Sequence, residues 1–418
     1  MKRLTFLLIL TLTFFSNLYS GLQNISVSSG VAFLINADTK QVLYEKNSDL
    51  KTPPASITKI ATALYALKEV GEDIHVKIEA DQDCIGSITA DMQKGLDYKH
   101  PPHWLIIGGT HMSIGKGAKL SLEELLYGLM LISANDCANI IAKYVSGSIS
   151  QFMTDLNDYL EELGCENTSF RNPHGLHLPN HYTTARDMAT ITCEALKYPI
   201  LRKIIGAEKY LRPSIEKDKD AWIFNKNLLL RPNQKFFYPE AIGGKTGNHE
   251  EAQKSLVAVA SSRGRNLVAI LIQCPTSEEL FTDAKNLFES AFAEEVVQEV
   301  YLKKGSQPFK QFIDGSKKIL RTYLKDDIVL SYYPAEKPQV KGEIYWRNTS
   351  LPILKDAYVA DLVLKDESGA VLKETKLYAQ KKISKVPFRS RLVFIFLTLI
   401  VVGIGGFLFY VFRTEIPS

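Results

Sequence analysis

Two short apolar runs near the start of the chain flank a polar turn. Residues 31–35 and 41–44 are mainly apolar, whereas residues 36–40 contain asparagine, aspartate and lysine. This alternation of apolar and polar segments is typical of a β-hairpin. Apolar side chains then recur at helical spacing over residues 57–67 and stop before Gly71, which predicts a helix that ends at a glycine.

The pattern over residues 71–234 is mainly helical. A Ser-x-x-Glu capping box opens an apolar helix over residues 122–131, and a second helical pattern covers residues 138–145. Residues 83–110 are interrupted by glycine and proline, so they predict an irregular surface excursion.

Strand character returns at residues 241–247. Residues 255–260 and 266–273 flank a tight Arg-Gly-Arg turn, and a helical pattern over residues 277–292 follows. Strands at both ends with helices between them predict one mixed α/β domain, residues 21–295. Its antiparallel sheet joins the N-terminal hairpin to the later strands, and the helices form a subdomain.

Beyond residue 295 the pattern changes to short alternating strands. They cover residues 328–333 and 342–346 and a hairpin of residues 358–364 with residues 371–378. We expect a small all-β domain, residues 296–385, of the sandwich type.

Both ends of the chain carry membrane-directed signals. Residues 1–20 have a basic head and a short apolar stretch, as a secretory signal does. Leu18 departs from the small-residue rule at a cleavage site before Gly21, so an uncleaved anchor stays open. Residues 392–412 are uncharged and span roughly 31 Å as a helix, which predicts a C-terminal transmembrane helix over residues 391–413.

Charge and cysteine usage narrow the functional classes. Lysine and arginine number 50 against 46 acidic residues, and the two signs are interspersed, so nothing indicates nucleic-acid binding. The five cysteines are an odd number for an exported protein, so at least one is unpaired in a monomer. Their spacing resembles no metal site.

The first candidate chemistry is Ser56 with Lys59. The same Ser-x-x-Lys spacing also begins at Ser48, Ser113 and Ser214, but only Ser56 is followed by a sustained apolar helix. A serine and a lysine three residues apart lie on one face of a helical turn, where a neutral amine can activate the hydroxyl. An isolated match of this kind is more often a helix cap with a solvated lysine.

Two further motifs favour a catalytic role for Ser56 over a helix cap. Ser133-x-Asn135 is the only Ser-x-Asn in the chain, and Lys245-Thr246-Gly247 is the only Lys-Thr-Gly. They follow Ser56 in the order typical of penicillin-binding proteins and serine β-lactamases. Together they favour a serine enzyme that works through an acyl intermediate.

With these motifs the chain resembles the low-molecular-mass penicillin-binding proteins, specifically D-alanyl-D-alanine carboxypeptidases of the peptidase S11 type. The resemblance covers residues 28–295 and includes residues 163–176 and 181–189 between the second and third motifs. It implies a serine β-lactamase/transpeptidase-like fold. The segment 84–104 is longer than the corresponding segment of the family, and residues 248–251 differ from the family pattern. The resemblance therefore does not define the substrate-binding edge of the site.

The resemblance implies roles for the first two motifs. Ser56 is the nucleophile that attacks the carbonyl between two D-alanines, and Lys59 is the general base. Ser133 relays a proton toward the leaving amine. Asn135 positions Lys59 and the substrate amide.

The third motif is implied to bind substrate. Lys245 and Thr246 take the terminal carboxylate, and Gly247 lets the peptide lie against the strand. The oxyanion is held by the backbone N–H groups of Ser56 and Asn248.

The implied activity is removal of the terminal D-alanine from peptidoglycan stem pentapeptides, with acylation by β-lactam antibiotics. No cofactor, metal or nucleic acid is expected. The C-terminal helix is expected to anchor the protein in the bacterial cytoplasmic membrane, with the catalytic domain outside it. An endopeptidase acting on cross-links, a serine β-lactamase and a non-catalytic wall-binding protein stay as alternatives. Glu166 makes no convincing deacylating base for a β-lactamase.

Two further sets of residues each have two interpretations. His174, His177 and His181 have spacings that suggest a metal, but no acidic or cysteine ligand accompanies them. We therefore expect no metal there. Arg265 on the predicted turn is either an additional ligand of the substrate carboxylate or a solvated residue.

Overall fold

The computed structural model describes residues 21–22, 25–71, 73–215, 219–347 and 350–386 of the 418-residue chain. They form two compact units. The N-terminal unit contains the described residues from 21 to 295 together with Pro334–Glu336, and the β unit contains residues 296–333 and 337–386. The predicted signal and transmembrane helix lie outside the described residues.

The α-helices of the described residues all belong to the N-terminal unit. They are α1 (Lys59–Val70), α2 (Ala90–Gly95), α3 (Leu122–Tyr127), α4 (Asn135–Ser146), α5 (Ile149–Glu162), α6 (Ala185–Ala195), α7 (Pro199–Gly206) and α8 (Ser277–Phe292). Within the described part of the chain, no helix is both long enough and apolar enough to cross a bilayer.

The strands divide between the units. Those of the N-terminal unit are β1 (Val31–Asn36), β2 (Val42–Lys46), β3 (Lys77–Glu79), β4 (Ser87–Ile88), β5 (Leu105–Ile106), β6 (Lys119–Ser121), β7 (Lys209–Arg212), β8 (Ala221–Phe224), β9 (Ala241–His249), β10 (Gln253–Ser262) and β11 (Arg265–Cys274). Those of the β unit are β12 (Val297–Leu302), β13 (Gly305–Phe312), β14 (Ile319–Leu324), β15 (Ile328–Tyr332), β16 (Lys341–Trp346), β17 (Tyr358–Lys365) and β18 (Val371–Ala379).

A five-stranded antiparallel sheet forms the centre of the N-terminal unit. Its strand order is β2-β1-β11-β10-β9, so the N-terminal hairpin pairs with the last hairpin and β9 lies at an edge. This confirms the mixed α/β class and the antiparallel sheet that the sequence pattern predicts.

Both faces of this sheet are covered by helices. Val268 and Ile270 of β11 pack with the cluster formed by α1, α4, α5 and α6, whereas Leu267 and Leu271 pack with α8 on the other face. Because both faces are buried, β11 is a continuous apolar run instead of an alternating one. The sheet is thereby held between two helical layers.

The predicted helix over residues 122–131 changes geometry midway. It is α-helical to Tyr127 and then forms a π-helical turn, Gly128–Ile132. A Cβ atom at Gly128 would lie 1.9 Å from Met112 Sδ, so only glycine lets the turn pack this closely. The following helix, α4, begins at Asn135, three residues before the predicted start.

The β unit is richer in strands than its sequence pattern indicates. It has a five-stranded antiparallel sheet, β13-β14-β18-β17-β16, and a two-stranded sheet of β12 with β15. The pattern predicts the last four of its seven strands but misses β12, β13 and β14. Most side chains of β12 are exposed, so that strand lacks the alternation that marks a half-buried strand.

All five cysteines are free and buried. Cys137 and Cys193 pack within the helical core, as expected for small hydrophobic side chains. Their thiols are protonated at neutral pH because burial raises the pKa of each.

Candidate active site

Ser56 lies in a 3₁₀ turn, Ala55–Thr58, that leads directly into α1. Ala55 has a positive φ of 51°, and the Thr58 hydroxyl donates to the Ala55 carbonyl at 2.8 Å. A Cβ atom at Gly175 would lie 2.0 Å from that carbonyl oxygen. The backbone of the loop that contains Gly175 therefore packs directly against the turn. The turn presents a half-buried Ser56 at the start of the helix, as the apolar pattern predicts.

Lys59 is completely buried one helical turn further on. Its Nζ lies 3.0 Å from Ser56 Oγ, 2.7 Å from Asn135 Oδ1 and 2.5 Å from the His174 carbonyl oxygen. Burial lowers the pKa of Lys59 well below its usual value, and the positive charges of Lys245 and Lys226 lower it further. A neutral amine is therefore accessible at the one position where it can take the serine proton.

Ser133 and Asn135 lie between the π-helical turn and α4. Ser133 has a left-handed φ of 68°, and the Asn135 N–H donates to the Thr110 carbonyl at 2.8 Å. The Ser133 hydroxyl oxygen is shielded from solvent and has no hydrogen-bond partner among the described residues. A buried hydroxyl of this kind is available to a substrate.

Lys245, Thr246 and Gly247 lie on the edge strand β9. Lys245 is buried, and its Nζ donates to the Thr246 carbonyl at 2.7 Å. Burial, together with the charge of Lys226, lowers the pKa of Lys245 to about 7. A bound anion restores the proton to such a lysine, because it stabilises the charged form.

Gly247 brings β9 against the Ser56 turn. A Cβ atom there would lie 2.2 Å from Ser255 Oγ and 3.2 Å from the Ser56 backbone nitrogen. The Ser255 hydroxyl in turn donates to the Pro54 carbonyl at 3.0 Å. Strand and turn are thus packed side by side, with no room for a side chain at position 247.

Asn248 follows Gly247 with its side chain directed to solvent. Its Oδ1 accepts a hydrogen bond from Lys254 Nζ at 3.0 Å, so only the backbone of Asn248 is available to the site. The structure therefore joins Ser56, Lys59 and Asn135 by direct hydrogen bonds. It places the third motif against them.

Lys226 belongs to the same charge cluster, although no sequence pattern indicates it. Its Nζ lies 3.1 Å from Thr110 Oγ1, and burial lowers its pKa. The positive charge of Lys226 also lowers the pKa of both Lys59 and Lys245. The residue comes from a loop between β8 and β9, and only the tertiary structure brings that loop to the site.

The loop after α5 supplies a second contribution that the motifs do not show. The Gly175 N–H donates to Asn172 Oδ1 at 2.7 Å, and the Thr62 hydroxyl of α1 donates to the Pro173 carbonyl at 2.6 Å. These bonds hold the His174 carbonyl in the position where it accepts from Lys59. The segment 163–176, which carries part of the family resemblance, therefore holds the Lys59 amine in place.

Two of the three histidines, His174 and His181, form hydrogen bonds with backbone groups through their rings. The His174 ring bonds the Leu176 N–H through Nδ1 and the His103 carbonyl through Nε2. The Arg171 N–H donates to Nδ1 of His181, and burial lowers the pKa of His181 to about 3. Both rings act as neutral crosslinks between loops. Within the described ranges, no group of three or more His, Cys, Asp or Glu side chains is arranged to hold a metal ion.

Both interpretations of Arg265 are wrong. Its guanidinium is buried and donates to Glu336 Oε1 at 2.8 Å through Nε, and to the Ala291 carbonyl at 2.5 Å. Glu294 also lies within ion-pair distance, at 3.3 Å. The local turn pattern could not indicate this, because Glu336 returns to the N-terminal unit from 71 residues along the chain.

The chain is similar to known proteins. The Peptidase S11 family, described as D-alanyl-D-alanine carboxypeptidase, matches residues 20–276. The D-alanyl-D-alanine carboxypeptidase DacF of Bacillus subtilis is 31% identical over 360 residues, which are 85% of this chain and 86% of the relative. DacC of Escherichia coli, also a D-alanyl-D-alanine carboxypeptidase, is 30% identical over 271 residues, 64% of this chain and 62% of the relative.

Solved structures are similar along most of the chain. The D-alanyl-D-alanine carboxypeptidase DacD of Francisella tularensis has a TM-score of 0.60 at 20% identity and covers 89% of this chain and 97% of its own. Penicillin binding protein 5 of Haemophilus influenzae has a TM-score of 0.59 at 22% identity and covers 87% of this chain and 100% of its own. At these identities the likeness shows a common fold.

Proposed function

Since the chain belongs to the Peptidase S11 family of D-alanyl-D-alanine carboxypeptidases, we propose that it removes the terminal D-alanine from peptidoglycan stem pentapeptides. The reaction passes through an acyl-enzyme on Ser56. One observation carries this assignment: the buried Lys59 amine lies 3.0 Å from Ser56 Oγ inside a cluster of cations.

Acylation begins when Ser56 Oγ attacks the carbonyl carbon of the penultimate D-alanine. Lys59 Nζ takes the hydroxyl proton, and a proton passes through the Ser133 hydroxyl to the departing amine. The C–N bond breaks, the terminal D-alanine leaves, and an ester joins the rest of the peptide to Ser56. Water then hydrolyses this ester and restores the serine.

Lys245 and Thr246 bind the carboxylate of the departing residue. The carboxylate favours protonated Lys245, and each charge-assisted hydrogen bond contributes about 1.5–3 kcal/mol. The pKa of Lys245 near 7 in the free site makes its charge responsive to this ligand. The site thereby favours a peptide with a free C-terminus.

The tetrahedral intermediate places its oxyanion between the backbone N–H groups of Ser56 and Asn248. Gly247 directly precedes Asn248, and the absence of a side chain there lets β9 approach the Ser56 nitrogen closely. A donor of this kind typically contributes two to three orders of magnitude in rate, about 10²–10³.

Penicillins acylate the same serine, because their strained amide and carboxylate occupy the positions of the peptide. A β-lactamase needs a further base to release that acyl group rapidly. Among the described residues, no carboxylate is hydrogen-bonded to Ser56 or Lys59. This supports slow release of the penicilloyl group and favours the carboxypeptidase over the β-lactamase alternative.

Replacement of Ser56 by alanine tests the assignment. We expect Ser56→Ala to lower kcat for D-alanine release from a pentapeptide by about 10⁶ and to abolish labelling by a fluorescent penicillin. Ser113→Ala is the matched control, since Ser113 begins another Ser-x-x-Lys and is exposed. Undiminished release by Ser56→Ala, or rapid penicillin turnover with no accumulated adduct in the wild type, would contradict the proposal.

We also propose that the enzyme acts outside the bacterial cytoplasmic membrane. The export signal in residues 1–20 and the apolar segment 392–412 support this location. The full chain is expected in the membrane fraction, and a chain that stops at residue 386 in the soluble extracytoplasmic fraction. Recovery of both chains in the soluble fraction would refute the C-terminal anchor.

A further inference from the structure

A cluster of aromatic and titratable side chains lies next to the proposed site, where the sequence departs from the family pattern. His177 comes from the loop that holds Lys59, Tyr98 from the excursion of residues 83–110, His249 from the end of β9 and Glu251 from the β9–β10 turn. None of these side chains takes part in the proposed chemistry.

The cluster is built by direct contacts between the three segments. The rings of His177 and His249 are 5.7 Å apart, and Tyr98 meets His177 edge-on at 5.9 Å. His249 Nδ1 faces the Glu251 carboxylate. The Nδ1 atom of His177 is shielded from solvent and, within the described part of the chain, has no hydrogen-bond partner.

The direction of the substrate places this cluster along the stem peptide. Lys245 takes the terminal carboxylate, and the attacked carbonyl lies beside Gly247, so the preceding residue continues toward His249. Side chains of a strand alternate between its faces, which puts His249 on the same face of β9 as Lys245 and Gly247. An extended peptide advances about 3.3 Å per residue, so its third residue from the C-terminus reaches the cluster.

The charge of the cluster indicates what it selects. Burial alone would raise the pKa of Glu251, but its own backbone N–H and the neighbouring His249 and His177 lower it, so it is ionised at neutral pH. Burial lowers the pKa of His177, which keeps that ring neutral. The Glu251 side chain is 32% exposed and so remains open to an incoming cation.

We propose that Tyr98, His177, His249 and Glu251 form the subsite for the side chain that precedes the two D-alanines. Its Glu251 carboxylate selects a side chain with a free amino group. The inference rests on the proposed function, because it takes the direction of the peptide from Ser56 and Lys245. The aromatic rings pack against the aliphatic stem of that side chain, and the carboxylate binds its ammonium group.

Two peptides that differ only at that amine test the subsite. The full-length protein in detergent is given Nα-acetyl-L-lysyl-D-alanyl-D-alanine or its Nε-acetylated form, and D-alanine release is measured. We expect kcat/KM to be about tenfold higher for the free amine, as for a charge-assisted hydrogen bond at a partly exposed site. Equal values for the two peptides would overturn the proposal.

Variants assign the preference to Glu251. Glu251→Gln is expected to bring the ratio of the two kcat/KM values close to one. Glu250→Gln removes the same charge from the adjacent residue, whose side chain is 82% exposed, and should keep the wild-type ratio. A wild-type ratio in Glu251→Gln would overturn the proposal.

A charge reversal separates selection from misfolding. Glu251→Lys should prefer Nα-acetyl-L-glutamyl-D-alanyl-D-alanine over the lysyl peptide, a gain that a damaged fold cannot produce. Loss of the preference without this reversal would count against a direct contact. The rate of labelling by a fluorescent penicillin, which lacks the stem side chain, should change less than about twofold in all three variants. Absence of labelling in the wild type would instead defeat the proposed function.

Discussion

At the scale of single residues, the site depends on two lysines that are buried without a carboxylate partner in direct contact. Lys59 donates to Ser56, Asn135 and the His174 carbonyl, and Lys245 donates to the Thr246 carbonyl. Neutral oxygens satisfy their protons but do not neutralise their charge. Burial therefore lowers the pKa of both amines, as the proposed roles of Lys59 as a base and Lys245 as an anion ligand require.

This burial destabilises the folded protein at neutral pH. The pKa of Lys245 is about 7 when folded against 10.5 ordinarily, so the unfolded chain binds the extra proton between these values. The penalty is full below about pH 7 and disappears as pH rises toward 10.5. Lys245→Met should thus raise the free energy of unfolding at pH 7 by ~4 kcal/mol while abolishing D-alanine release.

Chemical denaturation at pH 7 and pH 10 measures this effect. The free energy of unfolding of the wild type should rise between pH 7 and pH 10. In Lys245→Met the part of this rise that comes from Lys245 should be absent. Lys254→Met is the control, because its amine bonds Asn248 at the surface. A less stable Lys245→Met at pH 7 would show that packing and hydrogen bonding outweigh the buried charge.

At the scale of elements, the 3₁₀ turn before α1 is held by loops from other parts of the chain. Thr58 contacts the His181 ring at 3.1 Å, and Gly175 lies against Ala55. The helix dipole favours negative charge at this terminus, but the facing loop determines where the serine lies. Ser56 is thus positioned by its own helix and by the segment that also holds Lys59.

Gly175 and Gly164 provide a matched pair for this loop. Both have φ values above 80°, but a Cβ at Gly175 would lie 2.0 Å from the Ala55 carbonyl and one at Gly164 would meet nothing within 4 Å. Gly164→Ala should cost about 1 kcal/mol of stability and keep activity. Gly175→Ala should also shift the Ser56 turn and lower kcat/KM by roughly 10²-fold or more.

Penicillin acylation rates and denaturation midpoints of the two variants separate the effects. Similar acylation rates would mean that the Ser56 turn does not depend on this contact.

At the scale of the whole molecule, the N-terminal unit is not continuous in sequence. Pro334–Glu336 belongs to it, and Glu336 accepts from Arg265 and from Asn36 Nδ2 at 3.0 Å. These bonds join β1 and β11 to a segment that lies within the β-rich part of the sequence. The Arg265 charge is buried, and this segment supplies Glu336, a nearer carboxylate partner than Glu294.

Loss of Glu336 should therefore weaken the N-terminal unit. We expect Glu336→Ala to lower the free energy of unfolding by about 3 kcal/mol, because it removes one partner of a buried ion pair. Penicillin labelling during urea denaturation reports on this unit. Glu343→Ala breaks a more exposed pair with Lys365, and its effect should stay below about 1 kcal/mol. Equal midpoints for the two variants would contradict the structural role of Glu336.

The sequence by itself determined the features that depend on local geometry. Ser56 and Lys59 share a face because they lie three residues apart at a helical turn, and the order of the three motifs identified the family before any contact was visible. Alternation and helical spacing likewise predicted both hairpins of the central sheet and the helix α8. These features follow from backbone periodicity, which a short stretch of sequence contains.

Only the tertiary structure decided the environment of those residues. Lys226, the His174 carbonyl and the Glu336 carboxylate come from segments far along the chain from their partners, and no local pattern indicates such contacts. Burial and neighbouring charge set a pKa, and both arise from packing between distant segments. The sequence therefore identified the chemical groups of the site, whereas the fold determined their protonation, their partners and the structural role of Arg265.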